Sequence, residues 1–259
     1  MGRPLEILLT NDDGIDSPGI RALYDALSGV GNVTVVAPAT DQSATGRALS
    51  YEVDVHEHDL GYAIDGTPSD CVVAGLEALG PYPDLVVSGC NRGANLGMYV
   101  LGRSGTVSAA VESAFFGVPA IAASLYIPSG EYGRETTAGE YDEAARATAY
   151  LATHAPDAGV FERADYLNLN APLHVAEPVR VELTRPSHAY DMDATIEGGR
   201  VSLHDRMWDR LASGEVTDPE GTDRRAVMEG RISVSPLTAP HSVENDDGLA
   251  ALVADYPPS

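Results

Sequence analysis

The chain of 259 residues contains no lysine: its 16 basic residues are all arginine, set against 39 aspartates and glutamates. That absence is selective. A P-loop needs a lysine on the nucleotide phosphates, and a protein kinase needs one on a strand. Haloacid-dehalogenase-type phosphatases and receiver domains ordinarily use one as well, so each of these readings of an acidic site weakens. Cysteine is nearly absent too. Cys71 and Cys90 form no metal-ligand spacing and are expected to be small buried hydrophobes. The seven histidines include no metal pair at helical spacing. His56 and His58 share a strand face and read as structural or solvated, while His188 is a candidate to approach a substrate. The single tryptophan, Trp208, is expected in packing or at a subunit contact. No apolar run approaches the ~20 residues of a membrane span. The opening "MGRPLEILLTNDD" has too short an apolar stretch for a signal peptide, which predicts a cytoplasmic protein.

What is abundant is negative charge. The formal net charge is −23, and the acids are scattered rather than gathered in one block, as on a solvated acidic surface. The composition resembles that of proteins that work in concentrated salt, where ions screen self-repulsion. It argues against docked DNA or RNA, whose phosphates require basic patches.

Along the chain, apolar strand-like runs alternate with helical patterns. "LEILLT" (5–10) reads as a buried strand, and "SPGIRALYDALSGVG" as a helix with a serine cap, a proline in its first turn and a terminal glycine. "NVTVVAP" (32–38) completes a βαβ unit. An alternating strand over 51–58, a helix after "GTPSD", a strand at 83–89, a glycine-rich loop "NRGANLGMYVLGRSG" and a small-residue helix "TVSAAVESAFFG" follow. Then come the strand "VPAIAASL", the helix "YDEAARATAYLATHA" and the strand "DYLNLNAP". The class is α/β with a mostly parallel sheet. After about residue 175 the texture changes to hairpin-forming segments, then a short helix or turn and a strand in "TDRRAVMEGRISVSPL", then an acidic tail read as a loop plus a short helix. Residues 1–178 are expected to form the core and 179–259 an extension.

In such a sheet, sites form at the carboxyl ends of strands. Three polar loops fall there: "NDDG", "TDQSATG" and "SGCNRGAN". Asp12 and Asp13 are adjacent at a turn that Gly14 allows. Two close carboxylates require either a shared proton or a cation between them, and oxygen ligands suit Mg²⁺ or Mn²⁺. Aspartates at such a turn also serve as caps. Ser43 and Asn91 are further oxygen donors on the neighbouring loops. In "GRSGTVSAA", Ser104, Gly105 and Thr106 begin a helix, where backbone N–H groups favour an anion; the same residues also suit a plain helix cap, and "GTPSD" shares that ambiguity. A cation site beside an anion cradle points to metal-assisted phosphate-ester hydrolysis.

Taken in order, "ILLTNDDGIDSPGIRAL", "VVAPATDQSATG", "GTPSDCV", "PDLVVSGCNRGANLG", "SGTVSAAVESAFFGVPAIAAS", "LNLNAP" and "TDRRAVMEGRISVSPL" resemble the SurE family (stationary-phase survival protein E), metal-dependent 5′/3′-nucleotidases. The resemblance covers residues 5 to about 171 and resumes at 222–237; residues 172–221 match poorly, and Ala94 stands where the family often has proline. It implies a Rossmann-like three-layer core with a C-terminal β-rich extension that exchanges between subunits of a homodimer or homotetramer. It implies one Mn²⁺ or Mg²⁺ per subunit on Asp12, Asp13, Ser43 and Asn91. It places Asn95, Ser104, Gly105 and Thr106 around the phosphate of a nucleoside monophosphate. Asp12 or Asp13 is expected to accept the proton of the attacking water as well. Some members also cleave polyphosphate. A nucleotide or metal sensor without turnover on the same fold is the alternative. A haloacid-dehalogenase reading fails on alignment, because Asn11 falls where its nucleophilic aspartate belongs. A dinucleotide oxidoreductase lacks its G-x-G-x-x-G after the first strand.

Overall fold

The computed structural model describes residues 3–239; the acidic tail expected to hold a loop and short helix lies, from residue 240 on, outside the described residues. Strand β1 (Leu5–Thr10) leads into helix α1 (Pro18–Leu27) and strand β2 (Gly31–Pro38). A hairpin of β3 (Val55–His58) and β4 (Gly61–Ile64) precedes α2 (Pro68–Glu77). Then follow β5 (Leu85–Arg92), α3 (Met98–Leu101), α4 (Gly105–Phe115) and β6 (Ala120–Tyr126). Helix α5 (Asp142–His154) and β7 (Tyr166–Pro172) close the alternating part. Beyond it lie β8 (Val181–Leu183), β9 (Met192–Glu197), β10 (Arg200–Asp205), α6 (Arg206–Ala212), α7 (Asp223–Met228) and β11 (Ile232–Leu237).

Nine strands form one sheet in the order β3-β4-β2-β1-β5-β6-β7-β11-β8, and β9 and β10 form a separate hairpin. The pairings from β4 through β7 are parallel; β3 with β4 and β11 with β7 are antiparallel. Alternating side chains on the central strands feed two apolar layers. Ile7 and Leu9 of β1 pack with Ile20, Leu23 and Leu27 of α1 and with the alanines of α5. Leu8 faces the other way, onto Cys71, Val72 and Leu76 of α2 and Val107 of α4. The result is the expected three-layer α/β core. The expected segments 1–178 and 179–259 share the sheet, since β11 lies between β7 and β8.

Several local expectations change. Only 55–58 of the alternating stretch 51–58 is paired, and "GYAI" is a strand that composition did not reveal. The glycine-rich loop contains the one-turn α3, and "RMWD" begins helix α6 rather than extending a strand. Ser17 makes no side-chain cap on α1; its hydroxyl instead accepts from Asn11 Nδ2 at 2.8 Å. "GTPSD" is a reciprocal cap, with Thr67 and Asp70 each holding the other's backbone N–H. Both cysteines are free and buried, as expected, and burial pushes each thiol well above its usual range.

Candidate metal and phosphate site

From β1 the chain passes to β2 on one side and later to β5 on the other. The order of the sheet therefore reverses at the β1–β5 boundary, where the loops leaving adjacent strands diverge and open a crevice. Asp12 and Asp13 leave β1 at that point. Gly14, at φ +94°, makes the bend; a Cβ there would also press on the Thr40 carbonyl carbon at 3.3 Å. Gln42 N–H donates to the Asp12 carbonyl at 2.7 Å, which draws the β2 loop and Ser43 to the aspartates. On the other side, the β5–β6 register shifts between Ser88 and Asn91. Such a bulge re-aims the side chains that follow it, and it carries Asn91 and Arg92 to the same edge.

Each side chain is held. Asp12 is buried, and its Oδ1 accepts from Thr106 Oγ1 at 2.6 Å. The first residue of α4 sits directly on it: a Cβ at Gly105 would come within 2.8 Å of Asp12 Cβ and 2.9 Å of Oδ2. Asp13 Oδ2 accepts the Arg92 backbone N–H at 2.7 Å. Asp41 Oδ1 accepts both the N–H and the hydroxyl of Ser43, at 2.8 and 2.6 Å, leaving the Ser43 oxygen lone pairs available. Asn91 Nδ2 donates to the Gly93 carbonyl at 2.5 Å, which leaves its Oδ1 as the free end of the amide.

Burial raises the Asp12 carboxyl above its ordinary value, against the opposing hydrogen bond from Thr106. Burial, with the Asp12 charge beside it, pushes Asp13 up to about 7. A buried carboxylate, Asp12, beside a half-buried one, Asp13, both resisting ionisation, with hydroxyl and amide oxygens on the neighbouring segments, is a donor set fitted to a hard divalent cation.

The neighbouring residues divide between anchoring and openness. Ser104 Oγ accepts from Val107 N–H at 3.1 Å, capping α4, and its own hydroxyl hydrogen is uncommitted. The Thr106 hydroxyl hydrogen goes to Asp12, so it steadies a carboxylate rather than pointing at an anion. Asn95 is buried: its backbone N–H donates to Asn170 Oδ1 at 2.8 Å and its Nδ2 to Ser124 Oγ at 2.9 Å. Its carbonyl accepts from Asn168 and Asn170. One hydrogen of its amide has no partner among these. Asp41, Arg92 and the clamping role of Thr106 escaped the sequence reading. Only Asp41 left a signal, the Asp-x-Ser spacing of a side-chain turn. His56 and His58 pair with Asp65 and Asp16 at 3.2 Å, and His188 is exposed.

Fold and site together define a Rossmann-like α/β protein with an oxygen-rich acidic site at its topological switch point. The family model described as Survival protein SurE matches residues 7–193. The chain belongs to the SurE family. It is 64% identical over 252 residues to 5′-nucleotidase SurE of Halobacterium salinarum, covering 97% of this chain and 98% of the relative. It is 64% identical over 256 residues to the protein of the same name from Haloarcula marismortui, covering 97% and 95%. The crystal structure of Sure protein from Aquifex aeolicus superposes with a TM-score of 0.76 at 31% identity, over 96% of this chain and 100% of that one. Among the described residues, no helix is long and apolar enough to cross a membrane.

Proposed function

We propose that the chain is a metal-dependent nucleotidase. It hydrolyses nucleoside 5′-monophosphates, and 3′-monophosphates as a second class, to nucleoside and inorganic phosphate. The observation that carries this reading is the adjacent pair of carboxylates, Asp12 buried under the first turn of α4 and Asp13 half-buried beside it, with Ser43 and Asn91 offering oxygens on the neighbouring segments. The name 5′-nucleotidase SurE borne by the halophile relatives supports it.

Asp12, Asp13, Ser43 and Asn91 would hold one Mn²⁺ or Mg²⁺ per subunit. Such an ion, when bound, supplies charge for the phosphate oxygens and acidity for a nearby water. The chain's own groups do the positioning. The Ser104 hydroxyl, the Gly105 N–H at the start of α4 and the second amide hydrogen of Asn95 donate to the phosphate. Asp12 is clamped by Thr106 and crowded by Gly105. Asp13 has one oxygen on the Arg92 N–H, which leaves the other to accept the proton of the attacking water. The water oxygen bonds to phosphorus, the P–O ester bond breaks, and the nucleoside leaves as its hydroxyl after taking up a proton.

The protein is a homodimer or homotetramer. The β9–β10 hairpin supports this, since it stands apart from the main sheet and exposes Ile196, Val201 and Leu203. Light scattering on the eluted protein measures the mass.

The deciding experiment is phosphate release from a panel of nucleoside monophosphates in molar KCl, with EDTA, Mg²⁺ or Mn²⁺. Release that requires the cation is expected. Nucleotide binding without release, by folded protein, would transfer the reading to a sensor.

A further inference from the structure

Beside the switch-point crevice lies an open cavity of about 510 Å³ that the reaction chemistry does not use. Its volume is that of a small-molecule pocket. It begins at Gly93, two residues beyond Asn91. Its floor is Tyr126 and Ile127, both buried at the end of β6, and its walls are the half-exposed rings of Tyr132 and Trp208. The lining is mainly apolar and aromatic, with Ser129 as its one non-aromatic hydroxyl residue.

We propose that this cavity is the nucleobase subsite, with Trp208 and Tyr132 as its specificity-determining walls. The inference rests on the nucleotidase reading for the phosphate end of the ligand. Three features carry it. The first is continuity: Arg92 donates its backbone N–H to Asp13, and its guanidinium lies 4.7 Å from the Tyr132 ring centroid and bonds the carbonyls of Tyr132 and Arg134. One residue therefore joins the phosphate end to an aromatic wall.

The second is construction. Asp205 caps α6 by accepting the Met207 N–H at 3.0 Å, and its other oxygen accepts the Tyr99 hydroxyl at 2.8 Å. Tyr99 sits on α3 in the glycine-rich loop. The helix that presents Trp208 is thus tied to the loop that leads to Ser104. The third is chemistry. Flat aromatic rings offer stacking to a planar heteroaromatic ligand, so the pocket suits a nucleobase.

Trp208 is the sole tryptophan, so its emission reports the pocket without turnover. Adenosine, titrated into the full-length protein in molar KCl and EDTA with excitation at 295 nm, is expected to give a saturable change in emission. Inorganic phosphate over the same range is expected to give none. In steady-state assays, Trp208→Ala and Tyr132→Ala should raise KM for AMP roughly 5- to 100-fold more than KM for glycerol 2-phosphate, the size expected of a lost base stack. Trp208→Phe should recover most of the difference. The assignment is overturned if neither adenosine nor cytidine, guanosine and uridine perturbs Trp208. It is also overturned if the two KM values move together, or if Trp208→Ala changes the mass of the oligomer with no selective effect on AMP. A saturable adenosine response in protein that releases no phosphate from any nucleotide would instead refute the nucleotidase reading while leaving the pocket standing.

Discussion

Asp12 and Asp13 occupy a position where ionisation is costly and where a bound cation would relieve the cost. Asp13, pushed up to about 7 by burial and by Asp12, has an unfolded value of about 3.9. The folded, cation-free protein therefore holds a proton that the unfolded chain has lost. The stability this contributes is fully present below about pH 4 and is lost as pH rises through about 7. Since cation binding requires the deprotonated form, the rise in Tm produced by Mn²⁺ should be larger at pH 8 than at pH 5. The Asp13→Asn variant should show a smaller, flatter rise. A Mn²⁺-induced Tm shift that is the same at both pH values would contradict this.

Asp12→Asn should lower cation-dependent phosphate release by more than ~100-fold with far-UV circular dichroism unchanged, since even groups that merely orient ligands cost about 10–100-fold when removed. Thr106→Val should fall within that 10–100-fold range in Mn²⁺ affinity, read by isothermal titration, with Thr106→Ser recovering it. The aspartates were legible because their adjacency is itself the signal. Thr106 was expected around the phosphate; its bond to Asp12 was not legible, because 94 residues separate the partners and only the seating of the start of α4 on the loop after β1 joins them. Arg92 acts through a backbone N–H, which its side-chain identity does not advertise.

At the scale of elements, two helix starts rest on backbone or side-chain atoms with no room for a methyl group. A Cβ at Gly19 in α1 would lie 2.0 Å from the Cys90 carbonyl oxygen. Gly19→Ala must therefore push α1 away from β5, at a cost of about 1–3 kcal/mol, visible as a lower Tm. A Cβ at Gly105 meets Asp12 itself, so Gly105→Ala should weaken Mn²⁺ binding more than it lowers the Tm of the cation-free protein. The central strands were readable because strands buried on both faces are continuous apolar runs. The edge was not. Residues 51–54 alternate like a strand yet form none, with a single backbone bond from Asp65 N–H to the Asp54 carbonyl, while four-residue β4 pairs with both β2 and β3. Alternation states that a segment fits a half-buried surface; whether a neighbour is there depends on the rest of the chain.

For the whole molecule, the charge of −23 stores self-repulsion that salt relieves. The Tm should rise between dilute buffer and molar KCl, and an unchanged Tm would remove the electrostatic account of the lysine-free surface. The α/β class and the site edge were legible at this scale, because each strand–helix alternation reports the same architecture. The joining of late and early segments was not legible, since nothing in "ISVSPL" names β7 as its partner.

The place of β11 also bears on how the chain is made. Ile232 and Val234 fill the same apolar layer as β1 and α1, and β7 has its outer edge covered only when they arrive. Roughly 60 residues separate the end of β7 from β11, so at ~5–20 residues per second a ribosome exposes that edge for on the order of 3–12 s. During that interval the nascent chain presents unpaired backbone to any passing strand. Its main hazard is then mispairing between neighbouring chains on a crowded message rather than the slow search of a released one.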